Sequence, residues 1–168
     1  MSLMAEESIR ALAAGLSELV RAPQYPGARG QCLYGAWLAE SVLGNVGMAL
    51  HHKLCHTLGG SFNLPHAQTH TAILPHAFAY NAAAVPAAVA AIRRALGIDH
   101  ECAGAALFDL GRSLGATMSL AALGLRQTDL DHAAALTLAD PYWNPRPIER
   151  VAVRALLQDA FEGRRPTA

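Results

Sequence analysis

The chain has 168 residues, 52% hydrophobic and 15% charged, a size and composition that suit one buried core. Lys+Arg and Asp+Glu balance at 13 each, which excludes the charged field that a nucleic-acid or anionic-membrane binder needs. No apolar run approaches the ~18 residues of a membrane span and no basic-then-apolar leader opens the chain, so the expected setting is cytoplasmic.

In chain order, residues 4–22 (MAEESIRALAAGLSELVRA) carry apolar side chains at helical spacing, with Glu6 and Glu7 expected in the first turn. Pro23, Pro26 and Gly27 end that helix. Residues 29–57 predict one long helix, apolar on nearly all sides and therefore central and buried, stopped by Gly59–Gly60. A third helix starts near His66 and meets Pro75, which is expected to kink or stop it. Pro86 opens a fourth helix that Gly97 closes. AGAALFDLGRSLG, SLAALG, TDLDHAAALTLA (with Thr128 as candidate cap) and IERVAVRALLQDAF complete the pattern. No alternating strand run, Gly-rich strand–turn–helix unit or internal repeat is legible. The predicted fold class is all-α, about seven helices in one domain over 1–162, with a disordered tail at 163–168.

Chemistry concentrates in HHKLCHTLGGSFNLPHAQTHTAILPH, residues 51–76, which holds six of the eight histidines and the only lysine, Lys53. His52 and His56 are four apart and share a helix face; His66 and His70 repeat the spacing on the next helix. The intervening loop is short, so the second pair folds back toward the first. Such pairs could hold zinc or ferrous iron. The metalloprotease pattern is missing, because Lys53, Leu54 and Cys55 stand between His52 and His56 and no glutamate is there to act as base. The plainer reading is that Lys53 and His56 offset the dipole at a helix end, and that His51 and His76 are structural. Cys55 points away from His56 and reads as core rather than as a thiolate nucleophile. Cys32, Cys55 and Cys102 are odd in number and lack a CxxC pair, which fits reduced thiols. Adjacent His-His-Lys has no structural purpose on a buried apolar helix, and points to a polar pocket that binds a carbonyl or carboxylate and relays protons.

HHKLCHTLGGSFNLPHAQTHTAILPHAFAYN resembles the core motif of iron-containing (group III) alcohol dehydrogenases, above all their maleylacetate reductase branch. SLMAEESIRAL, CLYGAWLAESVLG and DPYWNPRPIERVAVRALL resemble the same branch, in the right order. The family pairs an N-terminal dinucleotide-binding domain with a C-terminal helical domain of the dehydroquinate synthase-like type, and this chain resembles only the latter. The resemblance implies that His52 and His66 are metal ligands for iron or zinc, and that His56 is the proton donor facing nicotinamide and substrate. It assigns Lys53 and His70 to the substrate's carboxylates and puts Tyr142 and Asn144 near the pocket. The metal positions that precede this segment in the family are not matched, so His52 and His66 alone are too few for a stable site unless His51 or His70 contributes. The implied reaction for the complete enzyme is reduction of maleylacetate, a dicarboxylate keto acid, to 3-oxoadipate by NADH or NADPH in aromatic-compound breakdown. The implied partner is a separate NAD-binding half, and because a domain parted from its neighbour exposes the apolar surface that neighbour covers, self-association into a homo-oligomer is also expected. The rival reading is a non-catalytic helical module that binds metal or a protein partner through its histidine face.

Overall fold

The computed structural model describes residues 1–99 and 102–167. Eight α-helices run in the order α1 (Ser2–Arg21), α2 (Pro26–Leu43), α3 (Leu50–Phe62), α4 (His66–Asn81), α5 (Pro86–Leu96), α6 (Ala103–Ser113), α7 (Leu130–Ala139) and α8 (Arg150–Glu162), and no strand occurs among the described residues. They group into two compact units, Met1–Gly47 with Ala87–Glu101, and Met48–Pro86 with Cys102–Ala168. The all-α expectation holds. No helix is long and apolar enough to cross a membrane among the described residues.

In the first unit α1 packs along α2 at close range. A Cβ on Gly35 would lie 2.7 Å from Cγ of Leu12, so only glycine lets the helices meet here, and Ser8 Oγ donates to the Gly35 carbonyl at 2.8 Å. Helix α1 begins earlier than expected, at Ser2, which moves Glu6 and Glu7 out of its first turn. They pair instead with Arg94 of α5 and Arg10 of α1. Pro26 occupies the first turn of α2, where its missing N–H costs nothing.

The single long helix expected over 29–57 is two helices. Asn45 Nδ2 donates to the Ser41 carbonyl and terminates α2, and Gly44–Ala49 separates it from α3. The new N-terminus of α3 is capped from far away: Leu50 N–H donates to Asn144 Oδ1 at 3.4 Å. Helix α2 is not central either. Leu33, Tyr34 and Trp37 are 73%, 43% and 63% exposed, because only one face of α2 meets α1.

The core of the second unit joins Leu50, Leu54 and Leu58 of α3 to Ile73 of α4, Leu130 of α7 and Leu157 of α8, all fully buried. Helix α3 runs through Gly59–Gly60 to Phe62. It stops at Asn63, whose φ of 54° places it in the left-handed region that ends helices. Helix α4 passes through Pro75 to Asn81. Pro75 removes the bond to the Thr71 carbonyl, but it is fully buried, and packing holds the helix together there. Gly104 of α6 fits against that turn; a Cβ would come within 2.8 Å of the Pro75 carbonyl oxygen and 3.0 Å of Ala79 Cβ.

SLAALG forms consecutive turns closed at Gly124 (φ 104°) rather than a helix, because the Leu120 and Ala121 amides bond to the Ala160 and Phe161 carbonyls at the end of α8. Thr128 lies inside a short 3₁₀ turn, and Asp129 precedes α7. The expected disordered tail is packed over 163–167: Arg164 pairs with Asp159, Arg165 pairs with Asp109 at 2.7 Å, and Pro166 is buried. Ala168 lies outside the described residues.

Candidate active site

Helices α3 and α4 form an antiparallel hairpin across the three residues Asn63–Pro65, which folds the two histidine pairs onto each other. Rings of His56 and His66 lie parallel, 6.4 Å apart with 11° between their planes. The His70 ring stands 4.4 Å from that of His66 and 5.2 Å from that of His52. His52 and His56 are 6.1 Å apart. The i,i+4 spacing and the tight turn therefore do what the sequence implied, and His52, His56, His66 and His70 share one cluster.

His51, set apart as structural by its sequence, also joins it. Its ring is 4.9 Å from that of His70 and 5.2 Å from that of His52, and its Nε2 lies 3.1 Å from the His70 carbonyl. The signal for it was adjacency to His52. On α3, residue 51 turns inward toward α4, so it was indistinguishable from a packed histidine. His76 behaves as expected of a core residue, 5% exposed with its ring edge-on to Phe108.

The cluster disfavours positive charge. Burial, then the fields of His56 and His66, hold His52 below the ordinary imidazole range. Burial pushes His51 down too. His70 falls to about 4, from burial first and then from the neighbouring His51, His66, His52 and His56. Its Nε2 is buried without a hydrogen-bond partner. Cys55 is fully buried and burial pushes its thiol up to about 12, which removes it as a free nucleophile near neutral pH.

The late PYWNPRP segment crosses this end of α3. Tyr142 Oη is 3.0 Å from Nδ1 of His56, and Lys53 Nζ sits over the Tyr142 ring, 5.4 Å from its centroid. His56 is exposed, Lys53 and Tyr142 half-buried. One aromatic residue thus links the lysine and the histidine that the resemblance makes functional. Asn144 is different. Its Nδ2 donates to Asn81 Oδ1 at 2.7 Å and to the Arg146 carbonyl at 2.6 Å, while its Oδ1 accepts from Asn81 and from Leu50 N–H. Both ends of the amide are committed, so Asn144 ties the loop to α3 and α4 instead of facing a substrate.

Among the described residues, the group of three donors that converges is His51, Cys55 and His70.

Comparison with known proteins agrees with the motif. Residues 1–161 match the family described as the Fe-containing alcohol dehydrogenase family, C-terminal. The maleylacetate reductase of Pseudomonas knackmussii is 54% identical over 168 residues, all of this chain and 47% of that protein. A crystal structure from Ralstonia eutropha JMP134 is 66% identical with a TM-score of 0.97, covering 99% of this chain and 47% of that one. The crystal structure of maleylacetate reductase from Rhizobium sp. strain MTP-10005 is 53% identical with a TM-score of 0.93, covering 98% and 46%. The chain spans about half the length of the curated relatives it matches. It belongs to the Fe-containing alcohol dehydrogenase family, as that family's C-terminal helical domain, and is similar throughout to the maleylacetate reductases.

Proposed function

We propose that this chain supplies the substrate-facing half of a maleylacetate reductase-like oxidoreductase that reduces maleylacetate to 3-oxoadipate. The observation that carries the reading is the junction at Tyr142, which bonds His56 and carries Lys53 on its ring. A reduced nicotinamide, NADH or NADPH, bound by a dinucleotide-binding half, supplies the hydride to the substrate's C=C bond. Among the described residues there is no strand to build such a platform, so the dinucleotide is assigned to another domain or chain.

His56 delivers the proton. When the Tyr142 hydroxyl donates to Nδ1, the ring proton of His56 sits on Nε2, the nitrogen directed away from the tyrosine. That proton goes to the carbon left electron-rich by hydride addition while the Tyr142 hydroxyl proton passes to Nδ1, so the ring stays neutral, and the tyrosine oxygen, beside the Lys53 ammonium, regains its proton from solvent. The Lys53 ammonium is held against Tyr142 and binds one substrate carboxylate. His70, kept neutral, donates a hydrogen bond to the other rather than a charge. Tyr142 fixes the tautomer of His56 and the position of Lys53. An iron or zinc ion, if bound, would be held by His52 and His66 together with further ligands and would polarise the substrate's keto oxygen. The exposed Leu33, Tyr34 and Trp37 face of α2 fits a chain that is covered by a second copy in a homo-oligomer.

Titration of the isolated chain with 3-oxoadipate tests the carboxylate pocket. Saturable binding that weakens with salt, and weakens about ten-fold or more in Lys53→Ala, is the expected result. Binding of equal strength in wild type and Lys53→Ala would remove the lysine from the reading.

A further inference from the structure

Among the described residues, the three donors that converge are not the pair marked by the family resemblance. A ring nitrogen of His51, the Sγ of Cys55 and a ring nitrogen of His70 all lie within 4.8 Å of one another. We infer that His51, Cys55 and His70 form a site for a thiophilic transition ion of the zinc class, with a ligand set separate from His52 and His66.

The backbone builds this set simply. His51 and Cys55 are four apart on α3 and share its inward face, while the short α3–α4 turn brings His70 to them. His51 Nε2 lies 3.1 Å from the His70 carbonyl, which can only accept, so Nε2 carries the proton and Nδ1 of the neutral ring keeps its lone pair. Metal-binding imidazoles are commonly oriented this way, with the second ring N–H tied to a carbonyl. His70 Nε2 is buried without a hydrogen-bond partner, and an ion would satisfy it.

The chemistry of the donors selects the ion. One sulfur beside two imidazoles suits zinc and related ions, whereas calcium and magnesium take oxygen ligands. Zinc bonds sulfur at about 2.3 Å and nitrogen at about 2.0 Å, so small rotamer changes draw donors already this close onto one ion. The Cys55 thiol loses its proton to solvent as the S–metal bond forms, which balances the step without an oxidant or reductant. Three protein ligands leave a fourth position for water.

Cobalt(II), a spectroscopic stand-in for zinc, tests the site in the full chain. About one equivalent is expected to bind and give intense near-ultraviolet thiolate-to-cobalt absorption that zinc discharges. The band is expected to persist in a His52→Ala/His66→Ala double variant and to vanish in Cys55→Ala, with folding followed by far-ultraviolet circular dichroism. Because Cys55 is in the core, His70→Gln serves as a second probe and is expected to lower cobalt affinity about ten-fold or more. A band that survives Cys55→Ala would assign the thiolate to Cys32 or Cys102 and overturn the site. Loss of the band in the folded His52/His66 variant, unchanged affinity in His70→Gln, or no band at saturating cobalt would do the same. None of these readouts depends on reductase activity, so the site can fail while the proposed reaction stands.

Discussion

His56→Ala, in an enzyme reassembled with its dinucleotide-binding half, is expected to lower kcat by about 10²–10⁴-fold, the usual worth of a positioned general acid. The change should leave stability nearly untouched, because His56 is exposed and, among the described residues, its hydrogen bond is to Tyr142. Lys53→Ala is expected to act differently, raising KM because it removes a carboxylate partner that is present in ground state and transition state alike. The split between a kcat effect at 56 and a KM effect at 53 distinguishes proton delivery from substrate anchoring. Steady-state rates of NADH oxidation measure both, and equal losses of kcat in the two variants would refute the division of roles.

Acidification is expected to destabilise the fold through His76. Its folded value is pushed to about 4 by burial, partly offset by Asp159, against an unfolded value near 6.5. The unfolded chain therefore binds a proton that the native state refuses, and stability present above pH 6.5 is lost as pH falls toward 4. The shift corresponds to about 3 kcal/mol once pH is below both values. Asp159 from α8 and the Phe108 ring from α6 are the groups that face it, and its Nε2 has no hydrogen-bond partner. Urea unfolding at pH 7.5 and pH 4 should show His76→Gln losing about 3 kcal/mol less than wild type on acidification. His70 adds a loss of the same sign, reduced by solvent screening because it is less buried. An acid limb of the same depth in wild type and His76→Gln would show that the imidazole is already protonated in the native state.

Much of the site was legible because its geometry is local. His52 with His56, His66 with His70, and a turn of three residues suffice to bring imidazoles from two helices together. What was not legible depends on distant partners. The break before α3 is capped by Asn144, ninety-four positions away, and no window around residue 50 contains that residue. Pro75 looks like a stop until Gly104 is seen packed against it. The α2 segment reads as buried because its residues are apolar, yet Trp37 and Leu33 stand exposed; composition reports the wish for a neighbour and not the neighbour. Asn144 resembles a pocket residue by motif, and only its four hydrogen bonds, to Asn81, Arg146 and Leu50, reveal that it is a tether. His51 fails in the opposite sense, since its inward register made a member of the cluster look like packing.

The reductase reading is tested most directly by mixing this chain with a separately produced dinucleotide-binding half of a maleylacetate reductase and following NADH absorbance with maleylacetate. Oxidation that needs both halves and the keto acid, and that disappears in Lys53→Ala/His56→Ala, is the expected result. A complex that forms between the halves yet leaves NADH unoxidised, or a rate that survives the double substitution, would contradict it.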